Sequence, residues 1–180
     1  MGWRMNKNAA KQTRRYTIDD LIFFVDVNKF LFPRILGERS ASRESIDELE
    51  RVLRVKLPDD YRRFLSEFDY LIYNGKVFYG ICYDDPRQFD FACNAADLTL
   101  RLRKESALPR RYLAFYDADG DKQLCFDVSK PRSNVVVWDY FGQCVDRKTD
   151  KDFVNVIFAF IERLIDKNPD AAGKTITWPE

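Results

Sequence analysis

The side chains that could do acid–base chemistry in this 180-residue chain are carboxylates, lysines and tyrosines, because the sequence contains no histidine. Histidine is the commonest general base, it activates serine and cysteine nucleophiles, and it is a frequent ligand of zinc. The sequence also has no P-loop, no G-x-G-x-x-G and no G-x-S-x-G motif. No spacing of the remaining groups singles out a catalytic set, so the sequence favours a protein without enzymatic activity.

Three aspartates separated by single residues, Asp117, Asp119 and Asp121, resemble the start of a calcium-binding loop. An EF-hand loop needs glycine at its sixth position and glutamate at its twelfth. Counting from Asp117, Lys122 and Val128 stand at those positions. We therefore interpret the three aspartates as the acidic tip of a β-hairpin, with a calcium site as the alternative.

A second acidic turn precedes a proline, since Asp84 and Asp85 stand directly before Pro86. Paired carboxylates can act as general acid and general base in hydrolysis. Aspartates before a proline also favour a solvated turn. We adopt the second interpretation and keep catalysis by the carboxylates as the alternative.

Aromatic side chains are dense around this turn, and the set comprises Tyr70, Tyr73, Phe78, Tyr79 and Tyr83. A stacking platform for single-stranded nucleic acid needs exposed aromatics with basic neighbours. The only basic residue between positions 70 and 83 is Lys76. We therefore favour half-buried core aromatics, and the alternative is a tyrosine-rich rim that contacts a protein partner.

The four cysteines form no C-x-x-C pair, which argues against a zinc knuckle or a thioredoxin-like site; they are Cys82, Cys93, Cys125 and Cys144. Four cysteines could form two disulfides. However, 46% of the residues are hydrophobic, which is enough for a core without such links, and no secretory signal is present. We expect four reduced thiols, no metal or other cofactor, and a cytoplasmic location.

Basic and acidic residues nearly balance, 30 against 29, so the net charge of +1 gives no global indication of nucleic acid binding. The charge is unevenly distributed, because residues 1–15 carry only basic charges and residues 16–180 have a net charge of −4. The basic arm could contact nucleic acid or a membrane. Such termini are more often flexible and solvated, so we expect a flexible arm and neither contact.

Hydrophobic spacing at i, i+3 and i+4 predicts a helix over 18–31, with Thr17 as its N-cap. The widest apolar face lies near the C-terminus and predicts a helix over 149–166. Residues 169–180 have no such face and are predicted to form a tail. The folded domain is therefore expected to span residues 16–168, between the basic arm and this tail.

Residues 44–68 have the pattern of two short helices in tandem. Ser45 and Glu48 match a capping box at the start of the first helix, and Pro58 suits the first position of the second. The second helix carries one apolar stripe, which comprises Tyr61, Phe64, Leu65 and Phe68. We expect this stripe to be buried against the C-terminal helix or against a sheet.

Beyond residue 68 the spacing becomes that of strands. The Asn-Gly pair at 74–75 predicts a turn into a strand over 77–82. Periodicity leaves residues 94–105 open between helix and strand. Further β-rich runs lie at 112–116, 123–128 and 134–138. Helices followed by mostly antiparallel strands and a final helix predict a single α+β domain.

The segment 45–68, SIDELERVLRVKLPDDYRRFLSEF, resembles the opening signature of the SUKH superfamily, the Smi/Knr-type domain. The most specific part is the Leu-Pro-Asp-Asp-Tyr block at 57–61. Further matches, such as the Tyr-Gly-Ile strand at 79–81, extend the resemblance over residues 45–165. In one departure, the Asn-Gly turn at 74–75 comes later than the turn that many members place directly after the second helix.

The resemblance implies a curved, mostly antiparallel sheet flanked by helices, with a helix at 94–105. Most bacterial members are immunity proteins that bind a cognate toxin and block it, whereas fungal relatives regulate cell-wall synthesis. The superfamily has no common enzymatic activity or cofactor. We therefore expect an immunity protein that neutralises a polymorphic toxin by occlusion. A regulatory scaffold for a host protein and a carboxylate-dependent hydrolase are the alternatives.

The chemistry of the expected toxin predicts a contact surface. A nuclease needs a basic active-site cleft to hold phosphate. An inhibitor of that cleft would present carboxylates together with aromatic anchors. On this hypothesis the candidate partner-binding residues are Asp84, Asp85, Asp117, Asp119, Asp121, Tyr79 and Tyr83.

Overall fold

The computed structural model describes residues 15–32, 40–81, 94–118, 120–129, 134–167 and 175–179, with the side chains of 166 and 167 excepted. Over these residues five α-helices and six β-strands form a single α+β domain. All strand pairs are antiparallel, and the sheet is open. The predicted fold class is therefore confirmed.

Three helices precede the sheet, one interrupts it and one follows it; they are α1 (Ile18–Val27), α2 (Arg43–Leu53), α3 (Asp59–Phe68), α4 (Ala95–Glu105) and α5 (Phe153–Lys167). Thr17 begins α1 with a capping box. Its hydroxyl accepts a hydrogen bond from the Asp20 N–H at 3.2 Å, and the Asp20 carboxylate accepts one from the Thr17 N–H at 2.8 Å. The N-cap predicted for this helix is confirmed.

Each strand of the sheet pairs with the next along the chain; the strands are β1 (Leu71–Tyr73), β2 (Lys76–Phe78), β3 (Tyr112–Ala118), β4 (Lys122–Asp127), β5 (Asn134–Asp139) and β6 (Cys144–Lys148). The predicted turn at Asn74 and Gly75 closes the β1–β2 hairpin. Both residues have positive φ, 47° and 74°, as a two-residue hairpin turn of this kind requires.

Helices cover both faces of the sheet. Alternate residues of each strand point to opposite faces, and both faces carry apolar side chains that the helices bury. On one face, α1, α3 and α5 pack over a cluster whose largest members are Tyr61, Phe64, Phe115, Phe126 and Phe153. On the other face, α4 packs over a smaller cluster that includes Tyr112, Ala114, Cys125, Val136 and Trp138. The side chains that point away from these clusters are left to form the surface.

The apolar stripe of α3 lies in the larger cluster, as predicted. Tyr61 and Phe64 are fully buried, and their ring centroids lie 5.4 and 5.1 Å from that of Phe153 on α5. Phe68, at the end of the stripe, is only partly buried and packs against Phe64. Helix α3 therefore packs against α5, which itself contacts the sheet through Phe153 and the rings of Phe115 and Phe126.

The start of α2 differs from the prediction. Its N-cap is Ser42, whose hydroxyl accepts a hydrogen bond from the Ser45 N–H at 3.1 Å. The capping box expected at Ser45 is therefore wrong, because the helix begins one turn earlier and buries this serine. Glu48 instead pairs with Arg51 at 2.6 Å. In the second helix, Pro58 occupies the N-cap, one residue before the position expected.

The chain passes close to the end of α3 at Gly80, where only glycine fits. A β-carbon at this position would lie 1.5 Å from the backbone oxygen of Asp69. Asp69 ends the helix with a φ of 59°, and its carboxylate accepts a hydrogen bond from the Ile81 N–H at 2.9 Å. This close approach sets the position of the neighbouring residue Tyr79.

Residues 94–105 form a helix, as the family resemblance implied. Asn94 caps α4 by accepting hydrogen bonds from the N–H groups of Ala96 and Asp97 at 2.8 and 3.2 Å. The same side chain donates to the Ile81 carbonyl at 3.0 Å. One asparagine therefore starts the helix and attaches it to the chain segment beyond β2.

Strand β6 was not predicted from the sequence. It is an edge strand whose residues are exposed, apart from the partly buried Val145. Helix α5 accordingly starts at Phe153 rather than at 149. Asp152 precedes the helix and its carboxylate accepts a hydrogen bond from the Asn155 N–H at 3.0 Å, which is the geometry of an N-cap.

The C-terminal residues differ from the expected tail. The Trp178 ring centroid lies 4.9 Å from that of Phe24 on α1, and the Thr177 backbone exchanges two hydrogen bonds with the Asn28 side chain at 2.7 and 2.9 Å. These residues therefore pack on the domain. Of the basic arm only Arg15 lies within the described residues, and it pairs with Asp152 at 3.1 Å.

Candidate partner-binding surface

The β3–β4 hairpin presents the acidic tip that the sequence predicted. Asp117 is the penultimate residue of β3, and its carboxylate accepts hydrogen bonds from the Gly120 N–H at 2.9 Å and from the Gln123 amide at 3.2 Å. Asp121 is exposed in the turn. Asp119 lies outside the described residues. The tip therefore carries one carboxylate that is held by its own turn and one that faces solvent.

Asp84, Asp85 and Tyr83 lie outside the described residues, so the second predicted turn remains a prediction. The same holds for Cys82 and Cys93. The two cysteines that the structure does describe are free thiols, with Cys125 buried and Cys144 exposed.

Tyr79 follows β2 and is held by its backbone. Its N–H donates to the Phe115 carbonyl at 2.8 Å, and its own carbonyl accepts from the Tyr61 hydroxyl at 2.8 Å. The side chain is half-buried and packs against the smaller cluster on the α4 face. The position is partly core, as the aromatic pattern predicted, yet the ring retains an exposed edge.

The pKa of Tyr79 depends on its burial and on the charges of neighbouring residues. Burial raises the pKa of Tyr79, and the negative charge of Asp117 raises it further, whereas Arg101 lowers it. Asp97 adds a smaller rise. Geometry places Tyr79 near the acidic tip, because its ring packs on the α4-side cluster and its N–H bonds to Phe115, two residues before Asp117. Asp97 and Arg101 of α4 are close enough to influence its pKa.

Asp97 and Arg101 are functional candidates that sequence reasoning missed. They stand four residues apart in the sequence, and this spacing places them on one face of a helix. This spacing indicates a shared face only in a helix, and the sequence pattern left residues 94–105 open between helix and strand. Helix α4 packs on the sheet face that also carries Tyr79. The pair therefore extends the candidate surface formed by β3 and by the segment after β2.

The neighbouring β5–β6 turn adds exposed aromatic surface beside the acidic tip. The Tyr140 N–H donates to the Asp121 carbonyl at 2.9 Å, which links the two turns. Phe141 is 77% exposed, and its ring packs edge-on to that of Tyr140 with centroids 5.1 Å apart. A phenylalanine with this exposure contributes little to the core but is a suitable anchor for a partner. Sequence reasoning missed this residue.

The base of these two turns is stabilised by an ion-pair network. The Lys122 ammonium lies 2.6 Å from the Asp139 carboxylate and 3.4 Å from that of Asp146. The Gly142 N–H, together with Lys122, holds the pKa of Asp139 below its ordinary value. We call the combined surface the acidic end; its members are Tyr79, Asp97, Asp117, Asp121, Tyr140 and Phe141.

Two adjacent carboxylates, Asp59 and Asp60, lie in the first turn of α3. Burial raises the pKa of Asp60, and the negative charges of Asp152 and Asp59 raise it further.

No group of three or more cysteine, aspartate or glutamate side chains in the described ranges could hold a metal ion. In the same part of the chain, no helix is long and apolar enough to span a membrane.

Comparison with known proteins agrees with this architecture. The sequence profile of the SMI1-KNR4 cell-wall family, SUKH_6, matches residues 43–155, which is more than half of the chain. A search of curated proteins finds no match. Among solved structures, a protein from Pseudomonas syringae pv. tomato has a similar fold, with a TM-score of 0.54 and 13% identity over 72% of this chain and 89% of that chain. The chain belongs to the SMI1-KNR4 family, and its domain is a member of the SUKH superfamily.

Proposed function

We propose that this protein is a non-enzymatic immunity protein that neutralises a cognate toxin by covering its active site with the acidic end. Membership of a superfamily that includes immunity proteins supports this proposal. The observation that carries it is the exposed Phe141 beside the acidic tip, because its neighbour Tyr140 bonds to the Asp121 carbonyl at 2.9 Å. Tyr79 lies beside the same hairpin, since its N–H donates to the Phe115 carbonyl of β3. Carboxylates around aromatic anchors are complementary to a basic cleft that binds phosphate.

The geometry of Asp117 suits this role. The Gly120 N–H and the Gln123 amide hold one carboxylate oxygen, Oδ1, so the group is oriented before a partner arrives. An oriented group loses less conformational entropy on binding than a mobile one. The other oxygen remains available to a lysine or arginine of the toxin.

The direct test uses the gene that neighbours the gene of this protein. Its product is expressed in a host cell alone and together with this chain, and growth is measured. We expect the neighbour to be toxic alone and to be neutralised by co-expression. A neighbour that is harmless, or that remains toxic when the two are expressed together, would contradict the proposal.

A charge-neutral variant locates the interface. Asp117→Asn with Asp121→Asn keeps the side-chain oxygen that accepts from Gly120 and removes both charges, so folding should be preserved. We expect the association rate with the toxin to fall about tenfold at low salt and to differ little at high salt. The matched control is Asp26→Asn with Glu67→Gln, which removes two exposed charges of α1 and α3. An equal loss in the control would assign the effect to net charge alone.

A regulatory scaffold that binds a host protein is the second candidate, because the matching family profile is described by its cell-wall members. It uses the same surface without a toxin. A harmless neighbouring gene product, together with capture of a cellular protein that the Asp117→Asn, Asp121→Asn variant no longer binds, would support this candidate instead.

A further inference from the structure

A cavity of about 570 Å³ lies where α2 and α4 end, away from the acidic end. Its walls come from the last turn of α2, from α4 and from the loop that leads into β3. The lining residues are Val52, Leu53, Arg54, Leu100, Arg103, Ala107, Leu108, Pro109 and Arg110. Three of these are arginines and none is acidic, so the cavity combines apolar walls with concentrated positive charge.

Arg103 is fixed at the centre of this arrangement. Its Nη1 donates to the Leu53 carbonyl at 2.9 Å, and its Nη2 donates to the Arg110 carbonyl at 3.0 Å. A guanidinium has five N–H donors, so these two bonds leave three of them. The Nε atom is buried and has no acceptor among the residues that the structure describes.

The positive charges of the cavity have no carboxylate partners in the part of the chain that the structure describes. Within the described ranges, no carboxylate forms an ion pair with Arg54, Arg103 or Arg110. Burial lowers the pKa of Arg103, and the like charge of Arg110 lowers it further. The C-terminal dipoles of α2 and α4 offset part of this charge. A net positive, partly desolvated site remains, and a bound anion would relieve the repulsion.

We propose that this cavity binds a phosphate dianion through Arg54, Arg103 and Arg110, either as free phosphate or as the phosphate group of a small organic monoester. Guanidinium groups match the oxygens of phosphate in paired hydrogen bonds. A phosphate group carries nearly two negative charges. It therefore matches a site with three cations better than a single carboxylate would. The volume is in the range of small-molecule sites, and the apolar wall at Leu100, Leu108 and Pro109 can accept the organic part.

The experiment measures binding of inorganic phosphate and of phenyl phosphate to the full chain by isothermal titration calorimetry at constant ionic strength. Arg54→Gln with Arg110→Gln is the test variant, because both side chains are exposed and neither supports another element. Each lost charged hydrogen bond should weaken binding about tenfold, so the double variant should bind about a hundredfold more weakly. Circular dichroism confirms that the variant is folded.

The matched control is Arg147→Gln with Arg163→Gln, which removes two arginines from the groove between the sheet and α5. The control should bind like the wild type. Tighter binding of phenyl phosphate identifies an organic monoester, and equal binding identifies free phosphate. The proposal is overturned if neither probe binds at about 10 mM, if the Arg54, Arg110 variant binds like the wild type, or if the control loses as much affinity.

Discussion

The acidic end and the arginine cavity handle charge in opposite ways. At the acidic end and at the base of its turns, backbone N–H groups bind carboxylates: Asp117 accepts from Gly120, and Asp139 accepts from Gly142. In the cavity Arg103 is bound to two carbonyl groups and has no anionic partner within the described residues. Backbone N–H groups and an ammonium orient the carboxylates while leaving oxygens exposed. Arg103 is oriented as well, but within the described residues no carboxylate offsets its charge.

This difference separates two kinds of surface. A carboxylate that its own turn stabilises can meet a large, transient protein partner without a structural change. A partly buried cation without a counterion costs free energy in the unbound protein, so its presence points to a ligand that enters the site. The two proposals therefore rest on different physical arguments and can fail separately.

The largest expected effect is on the core cluster that α3 shares with α5, from which Tyr61 bonds to the Tyr79 carbonyl at the acidic end. Phe64→Ala should destabilise the protein by about 3–5 kcal/mol, because the ring is fully buried against Phe153 and Tyr61. Phe23→Ala is the control, since this side chain is 46% exposed and its loss should cost less than about 0.5 kcal/mol. Urea unfolding measures both. A loss below about 1 kcal/mol for Phe64→Ala would show that the core can reorganise around α3.

A smaller effect is expected at the arginine cavity. Arg103→Leu removes both hydrogen bonds to the Leu53 and Arg110 carbonyls and should cost about 1–3 kcal/mol of unfolding free energy. Lys104→Leu, an exposed position on the same helix, should change stability by less than about 0.5 kcal/mol. If Arg103→Leu instead stabilises the protein in phosphate-free buffer, charge repulsion outweighs the two hydrogen bonds. The arginine cavity would then be a site that destabilises the unbound protein, unlike the carboxylates that the turns stabilise at the acidic end.

The smallest effect concerns pH and the base of the two turns. The pKa of Asp139 is lowered in the folded protein by the Gly142 N–H and by Lys122, so its contribution to stability is present above the unfolded value of about 3.9. That contribution is lost as the pH falls through the lower, folded value. Asp139→Asn should therefore flatten the loss of stability below about pH 4.

Urea unfolding at a series of pH values measures this effect. Arg103→Leu is the comparison, because a guanidinium does not titrate in this range and the acid-induced loss should keep its wild-type shape. If the free energy of unfolding of Asp139→Asn falls with decreasing pH as in the wild type, the Lys122 pair and the Gly142 bond do not stabilise the turn.

Much of the fold could be predicted because burial leaves a periodic pattern. The Tyr61 and Phe64 stripe identified α3, and the Asn74-Gly75 turn identified a hairpin. Strand β6 left no such pattern, since it lies at the sheet edge and four of its five residues are exposed. The C-terminal residues were misjudged for a related reason: one tryptophan and one isoleucine, Trp178 and Ile176, are too few to show a period, yet both pack on the core.

The candidate sites divide in the same way. The sequence by itself determined the available chemistry: no histidine, an acidic hairpin tip at Asp117 and Asp121, and the SUKH signature. Only the tertiary structure decided which groups meet. Arg54 and Arg103 are 49 positions apart in the sequence and line one cavity because α2 and α4 end side by side. Local spacing records which face of one element a residue occupies, but contacts between elements depend on how their buried faces pack together.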